Sequence, residues 1–329
     1  MALQLLKQEF PELNYIKFPS FTITYGKGKS MILPMILQIP GIMLGIIKEH
    51  NVLKRLVATY SPDLIISDNR FGLWSKKAYS VYITHQINII LPGWTGLFKP
   101  FIDVINRFII SKYNQCWIPD FEDDKCNLTG KLSHKGNLPQ NAVFIGPLSR
   151  FCKHYEKIKP AGQYIYDLLL IMSGPEPQRT ILEDLLTKEI IKSGYRAIII
   201  QGRPGEKQIN NITGNITRVS HLSAPEFLNV ICHSRYIICR SGYSNIMDLV
   251  SLRRTAILIP TPGQPEQEYL AGYLSKYFCI TEQNKIELDS LIKKMNGHIP
   301  AIFKSKEPEL KNYIKNLILK NQAKEDNSK

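Results

Sequence analysis

The residues best suited to chemistry lie in one stretch of the carboxyl half, CRSGYSNIMDLVSLRRTAILIPTPGQPEQEYLAGYL, which begins at Cys239. A β-branched run ends there and passes through Arg240, Ser241 and Gly242 into a helical pattern that carries Ser244 in its first turn and Asp248 one turn further on. The first turn of a helix has free N–H groups and the positive end of the backbone dipole, so it suits a diphosphate. Gly242 lets that group approach the backbone, and the Ser244 hydroxyl can donate to a phosphate oxygen. Asp248 stands where a carboxylate can accept protons from two ribose hydroxyls. Alternatively, Ser244 only caps the helix and Asp248 is a solvated acid.

Further loops fall at the same edge. After the next apolar run comes Pro260-Thr261-Pro262-Gly263-Gln264-Pro265-Glu266-Gln267, rich in amide and carboxylate groups. Such groups read sugar hydroxyls, each of which is both donor and acceptor. The segment from Met172 to Arg179 contains Ser173 and Gly174 and opens a helix, so it faces a phosphate by the same reasoning; taken singly it is an ordinary strand-to-helix turn. Gly202-Arg203-Pro204-Gly205 and His221-Leu222 complete the set, with His221 a pocket-wall or surface residue rather than a catalyst.

These loops need a frame, and the apolar pattern supplies one. From Asp167 onward the runs DLLLIM, AIIIQ, YIIC, AILIP and a weaker FCIT alternate with segments of helical spacing, the first bounded by Pro177 and Gly194. That alternation predicts a parallel sheet wound with helices, which binds ligands at the carboxyl ends of its strands. DLIIS, SVYIT, CWIP and AVFIG repeat the pattern in the amino half. The expected organisation is an α/β chain of two doubly wound, Rossmann-like domains facing a cleft. Residues 1–150 form the acceptor-side domain, 151–320 the donor-binding domain and 321–329 a disordered tail, with the change of domain between residues 147 and 162. The opening ALQLLKQEFPEL reads as the end of a helix turning into a strand, whereas a doubly wound domain opens on a strand and a Gly-rich turn. The amino-terminal domain is therefore expected to be incomplete at its start.

Composition narrows the partners. Lys and Arg outnumber Asp and Glu by 42 to 28, which favours polyanions, yet no nucleic-acid motif or platform of clustered aromatic and basic residues is present. The cysteines at 116, 126, 152, 232, 239 and 279 form no C-x-x-C pair, so reduced, buried thiols are expected and no metal site. The amino terminus lacks a basic-then-apolar signal pattern, which points to a cytoplasmic protein, and the sequons at Asn127, Asn211 and Asn215 become chance matches. Met31 to Ile47 is broken by Pro34, Gln38, Pro40 and Gly41, too interrupted for a membrane span. With Lys27, Lys29, Lys48 and Arg55 around it, and with the aromatic loop from Pro92 to Phe101, this run suits peripheral contact with an anionic membrane at its inner face; a core helix and an ordinary loop are the alternatives.

The order of SGPEPQR, GRPGE, HLSAPEFL, SRYIICRSGYSNIMDL and IPTPGQPEQEYLA resembles the MurG-like branch of the GT-B glycosyltransferases, as do SDNRFG and YITHQIN in the amino half. The resemblance implies Ser244 and Gly242 for the diphosphate, Asp248 for the ribose, and Gln264, Glu266 and Gln267 for the sugar. Ser173 and Gly174 fall on the phosphate side, His221 and Leu222 at the base, Arg240 beside the leaving nucleotide, and Arg203 among the donor-binding residues. Asn69, Arg70, Gln86 and Asn88 are carried onto the acceptor side. A nucleotide sugar, UDP-linked, is implied as donor and a glycan or lipid-linked hydroxyl as acceptor, joined by inverting displacement without a metal or other cofactor. Relatives carry an amino-terminal Gly-rich loop ending in a histidine, taken as the base; this chain starts after it, leaving Asp68 and His85 as substitutes. A homologue that only binds the donor and acts with a partner is the non-enzymatic alternative. A sugar-nucleotide epimerase of the same fold is the second enzymatic one.

Overall fold

The short apolar runs pair into two sheets. The computed structural model describes residues 2–19, 32–91, 93–151, 164–203 and 210–296, together with 310, 314, 315 and 317. Two compact units divide the chain, one of Met1–Tyr15 with Leu148–Phe303, the other of Ile16–Pro147 with Lys304–Lys329. Residues 1–15 thus group with the carboxyl-terminal unit rather than with the rest of 1–150. Helix α1, Ala2–Glu9, supplies a reason: the Glu9 carboxylate accepts the Ala224 N–H at 3.3 Å, in the first turn of a helix of that unit. No strand follows α1 among residues 10–19, contrary to expectation. The tail at 321–329 lies outside the described residues.

In the Ile16–Pro147 unit a long helix, α2 (Ile32–Tyr60), precedes β1 (Leu64–Asp68) and β2 (Tyr79–Ile83). A 3-10 turn, Gly93–Phe98, leads into α3 (Lys99–Ile110), and β3 (Gln115–Ile118) and β4 (Ala142–Phe144) complete the sheet. All four strands are parallel in the order β1-β2-β3-β4. Each expected strand forms, because each is an apolar run bounded by turn residues. Helix α2 runs through Pro40, so the interruptions read as breaks do not end it. It buries Leu53 and Val57 against Ile65 and leaves Met43, Leu44 and Ile47 exposed. Among the described residues no helix is long and apolar enough to cross a membrane.

The carboxyl-terminal unit holds β5 (Tyr166–Ile171), α4 (Gln178–Ser193), β6 (Ala197–Ile200), β7 (Asn210–Thr213), β8 (Ile216–Val219) and α5 (Ala224–Cys232). β9 (Ser234–Cys239), α6 (Tyr243–Ser251), β10 (Ile257–Leu258), α7 (Pro265–Tyr273), β11 (Cys279–Ile280) and α8 (Leu288–Met295) follow. The strand order is β11-β10-β9-β5-β6-β8-β7, with only β7 antiparallel. The chain starts at the centre, winds outward through β6 and β8, then returns past β5 to β9. The order reverses between β5 and β9, the kind of switch point at which open α/β sheets bind ligands. Leu168, Leu170, Ile199, Ile238 and Ile257 pack with Leu182, Leu186 and Ile190 of α4 and Leu291 and Ile292 of α8. As expected, Pro177 stands at the start of α4 and Gly194, at φ 75°, ends it. The β7–β8 hairpin went unread in a polar stretch.

Among the described cysteines none forms a disulfide; Cys116, Cys239 and Cys279 are buried, whereas Cys126 and Cys232 are partly exposed. Asn127 is buried, its amide donating to the Asp123 and Asp124 carbonyls.

Candidate functional site

Two loops flank the point where the strand order reverses: residues 172–177 after β5 and 240–242 after β9. Gly242 is the N-cap of α6 in extended conformation, with no side-chain capping bond. Ser244 therefore does not cap its helix; it is exposed and has no partner among the described residues. The first turn of α6 keeps the positive end of its dipole unmasked by any side-chain cap.

The other loop differs. The Glu176 carboxylate accepts from the Thr180 N–H at 3.2 Å and its hydroxyl at 2.9 Å, and pairs with the Arg179 guanidinium, so the first turn of α4 already holds an anion. Although some burial opposes ionisation, these bonds hold Glu176 below its ordinary pKa. Ser173 sits beside α6, receiving a 3.5 Å bond from the Asn245 amide, which also donates to the Arg240 carbonyl at 3.1 Å. Gly174 has φ 99°. A Cβ there would lie 3.7 Å from the Thr261 hydroxyl, which is buried without a hydrogen-bond partner among the described residues. Gly202, at φ 66°, allows the β6 loop to pass the Met172 carbonyl, where any Cβ would overlap it. Arg203 is tied through its N–H to the Ser220 carbonyl at 2.8 Å, and His221 lies next to it, half-buried, with Nδ1 3.0 Å from the Ser220 hydroxyl. Leu222 is half-buried in the same loop.

Arg240 is committed to the fold. Its side chain is wholly buried, donating to the carbonyls of Ile259 (3.3 Å), Pro260 (3.2 Å) and Gln178 (2.7 Å) and to the Gln283 amide oxygen (2.6 Å). Burial brings its pKa down to about 10, which still leaves it charged at neutral pH. In the fold it knits the loops together. Gln267 is similarly committed: its Oε1 accepts the Thr261 N–H at 2.9 Å, its Nε2 donates to Gln264 Oε1 at 2.5 Å, and its carbonyl accepts the Ser241 hydroxyl at 2.8 Å. The Gln264 amino group has no partner among the described residues, and Glu266 stands half-exposed in the first turn of α7.

Asp248 lies one turn after Ser244, but Oδ1 accepts the Ser149 hydroxyl at 2.6 Å and Oδ2 is 3.9 Å from Arg150 Nε. Burial raises its pKa, opposed by Ser149 and Arg150. One carboxylate has about four lone-pair directions, so capacity for a hydroxyl remains. Ser149 and Arg150 went unread because they are distant in sequence. Arg150 also lies over the rings of Phe151 and Phe227, at 4.8 and 4.7 Å from their centres.

In the other unit Asp68 is the last residue of β1, in register with Ile83 of β2, and His85 follows β2 by two residues. The Asp68 side chain is exposed and accepts no hydrogen bond among the described residues. His85 is half-buried, with Nε2 3.5 Å from the Gln86 amide nitrogen. Three residues expected on the acceptor side hold bonds within the fold. Arg70 pairs with buried Glu49 at 2.5 Å and donates to the Pro19 carbonyl; the Asn69 side-chain oxygen accepts the Tyr82 hydroxyl at 3.1 Å; and the Asn88 amide donates to the Lys131 and Lys135 carbonyls at 3.1 and 2.8 Å. Unread in the sequence was Asp120, which lies two residues after β3 at zero exposure and gathers five donors. No metal-binding cluster of His, Cys, Asp or Glu occurs among the described residues.

Residues 179–327 match the glycosyltransferase family 28 C-terminal domain. Over 318 residues the chain is 21% identical to the UDP-N-acetylglucosamine-N-acetylmuramyl-(pentapeptide) pyrophosphoryl-undecaprenol N-acetylglucosamine transferase of Haemophilus ducreyi, covering 93% of this chain and 82% of that one. The corresponding transferase of Histophilus somni is also 21% identical, over 80% of this chain and 71% of that one. Among solved structures, the Methanocaldococcus jannaschii UDP-GlcNAc 2-epimerase aligns with TM-score 0.55 at 12% identity, covering 95% of this chain and 87% of that one. The glycotransferase of kitacinnamycin aligns at 0.52 and 10% identity, over 87% and 79%. At these identities the likeness concerns the fold, which is the GT-B arrangement of parallel α/β sheets.

Proposed function

We propose, from the premise that this chain carries a glycosyltransferase family 28 C-terminal domain and is MurG-like, that it moves a hexose or N-acetylhexosamine from a UDP-linked sugar to the hydroxyl of a lipid-linked or glycan acceptor. The observation that carries this reading is the start of α6: a helix terminus with no side-chain cap, at the point where strand order reverses, bearing a free Ser244 with Asp248 one turn on. In the reaction the acceptor oxygen forms a bond to the anomeric carbon from the face opposite the leaving group. The bond from that carbon to the diphosphate oxygen breaks, and the nucleoside diphosphate leaves with the electron pair. The first turn of α6 and Ser244 receive the departing charge, and Arg150 adds a cation beside Asp248. In this reading no metal takes part. Asp248 holds the ribose, the amino group of Gln264 reads a sugar hydroxyl, and His85 or Asp68 takes the acceptor's proton.

A lipid-linked acceptor fits a further feature. The turn before α3 and the helix itself expose Leu97, Phe98, Phe101, Val104, Ile105 and Phe108 along one stripe, with Lys112 stacked on the Phe108 ring at 4.1 Å. Apolar side chains rimmed by cations suit peripheral attachment to an anionic bilayer.

Calorimetry of UDP and UDP-N-acetylglucosamine against the wild type and Ser244→Ala tests the donor half. Losing one bond to a charged oxygen weakens both ligands roughly tenfold or more. Release of UDP in the presence of a lipid-linked acceptor tests transfer. A wild type that binds neither nucleotide would overturn the proposal, and binding without transfer would leave a donor-binding homologue.

A further inference from the structure

Between β3 and β4 lies a loop that no step above employs, yet its polar residues are among the most buried of this unit. The Asp120 carboxylate accepts from the N–H groups of Phe121 (2.7 Å), Leu128 (2.9 Å) and Thr129 (2.9 Å), from the Thr129 hydroxyl at 2.5 Å, and faces His134 Nε2 at 3.3 Å. The other ring nitrogen, His134 Nδ1, lies 3.1 Å from Asp124 Oδ1, and the ring stacks on Phe144 of β4 with centres 4.7 Å apart. An imidazole between two carboxylates uses both nitrogens as donors, the protonated form.

Beyond this knot the loop grips the segment after β2. The Ser133 hydroxyl donates to the His85 carbonyl at 2.7 Å, and the Leu132 carbonyl accepts the Asn88 N–H at 2.8 Å. The Lys131 and Lys135 carbonyls accept the Asn88 amide. From α3, Asn106 donates to the Gln86 and Ile87 carbonyls at 3.1 and 3.0 Å. Residues 85–88 are therefore suspended from backbone that Asp120 and His134 hold in place.

We propose that Asp120 and His134 are positioning residues for the His85 segment: the buried carboxylate and the imidazole beside it fix residues 129–135, and these fix His85 and Asn88. The consequence for rate rests on the reading of His85 as a base; the positioning itself does not. The charged groups facing His134 are Asp120, two residues after β3, and Asp124 in the same loop, and β4 contributes only the Phe144 ring. Burial pulls the proton affinity of His134 down, but the bonds and charges of the two carboxylates outweigh it, so it titrates above 6.5. A group whose proton is held more tightly in the fold lends its stabilisation fully below its unfolded value and loses it as pH rises through the folded one.

Hydrogen exchange of the full chain, corrected for the intrinsic pH dependence of exchange, tests this together with nitrogen NMR of its histidine rings. In the wild type, protection of the Asn88 amide should fall through an inflection at the pH where the His134 ring signal shows that it loses its proton. His134→Gln should lower Asn88 protection about tenfold at pH 6 and abolish that inflection. Asp124→Asn removes only an exposed partner, so it preserves the fold while moving the inflection to lower pH. Unchanged Asn88 protection in His134→Gln, or an inflection unmoved in Asp124→Asn, would overturn the proposal. Calorimetry with UDP is independent of both outcomes, so failure of the donor reading would be seen separately.

Discussion

Replacing Asp248 by Asn separates what this carboxylate does for the fold from what it does for a ligand. In the folded chain Oδ1 accepts the Ser149 hydroxyl at 2.6 Å, a bond that the Asn side-chain oxygen can also accept, while the charge meets only a distant cation, Arg150 Nε at 3.9 Å. Burial holds the proton of Asp248 more tightly than in the unfolded chain, above its ordinary 3.8. Its contribution to stability is thus most favourable below that value and is lost as pH rises through the folded one, so the ionised group is a net cost at neutral pH. Asp248→Asn should melt at the same temperature as the wild type or higher at pH 7. Nucleotide binding should move the other way. A ribose hydroxyl bond to a charged oxygen is worth about 1.5 to 3 kcal/mol, and the loss of one such bond weakens UDP by roughly ten- to a hundredfold. Wild-type affinity should also rise as pH climbs through the folded pKa of Asp248, and the variant's should not. Calorimetry across the acid range, alongside melting curves, reads both effects. Equal UDP affinity in the two proteins at pH 7 would refute the ribose role, and a large loss of stability would refute the burial cost.

Gly202→Ala forces a Cβ onto the Met172 carbonyl at positive φ and should cost on the order of 1 to 3 kcal/mol in urea denaturation; an unchanged midpoint would mean that the two loops can separate. Arg240→Met leaves the Ile259, Pro260 and Gln178 carbonyls without their donor and should cost on the order of 3 kcal/mol, read by the same titration, whereas a stable variant with only weakened UDP binding would restore Arg240 to the ligand. Phe101→Glu with Phe108→Glu should abolish flotation with anionic vesicles and leave the melting temperature unchanged, because both rings are exposed.

All four strands expected in the amino half and all five expected in the carboxyl half were readable in the sequence, because buried parallel strands must be short apolar runs and helices between them must carry a spaced apolar face. The α6 terminus was readable for a similar reason: Gly242 and Ser244 take their places from the local turn into the helix, whereas Asp248 meets Ser149, far away in the sequence. Only the tertiary structure decided which polar side chains remain free. Arg240 looks in the sequence like a cation for a phosphate, but the four groups that occupy it come from residues 178, 259, 260 and 283. The Glu176 carboxylate closes α4 by folding back on residues three and four positions ahead, Arg179 and Thr180, a choice between local rotamers that residue type does not dictate. Asp120 and His134 stand 14 positions apart and meet only once β3 and β4 have paired and the loop between them has closed. Local chemistry survives in the sequence because the chain itself sets its geometry. Partners brought together by loop closure do not, since their distance is determined by the packing of the whole sheet.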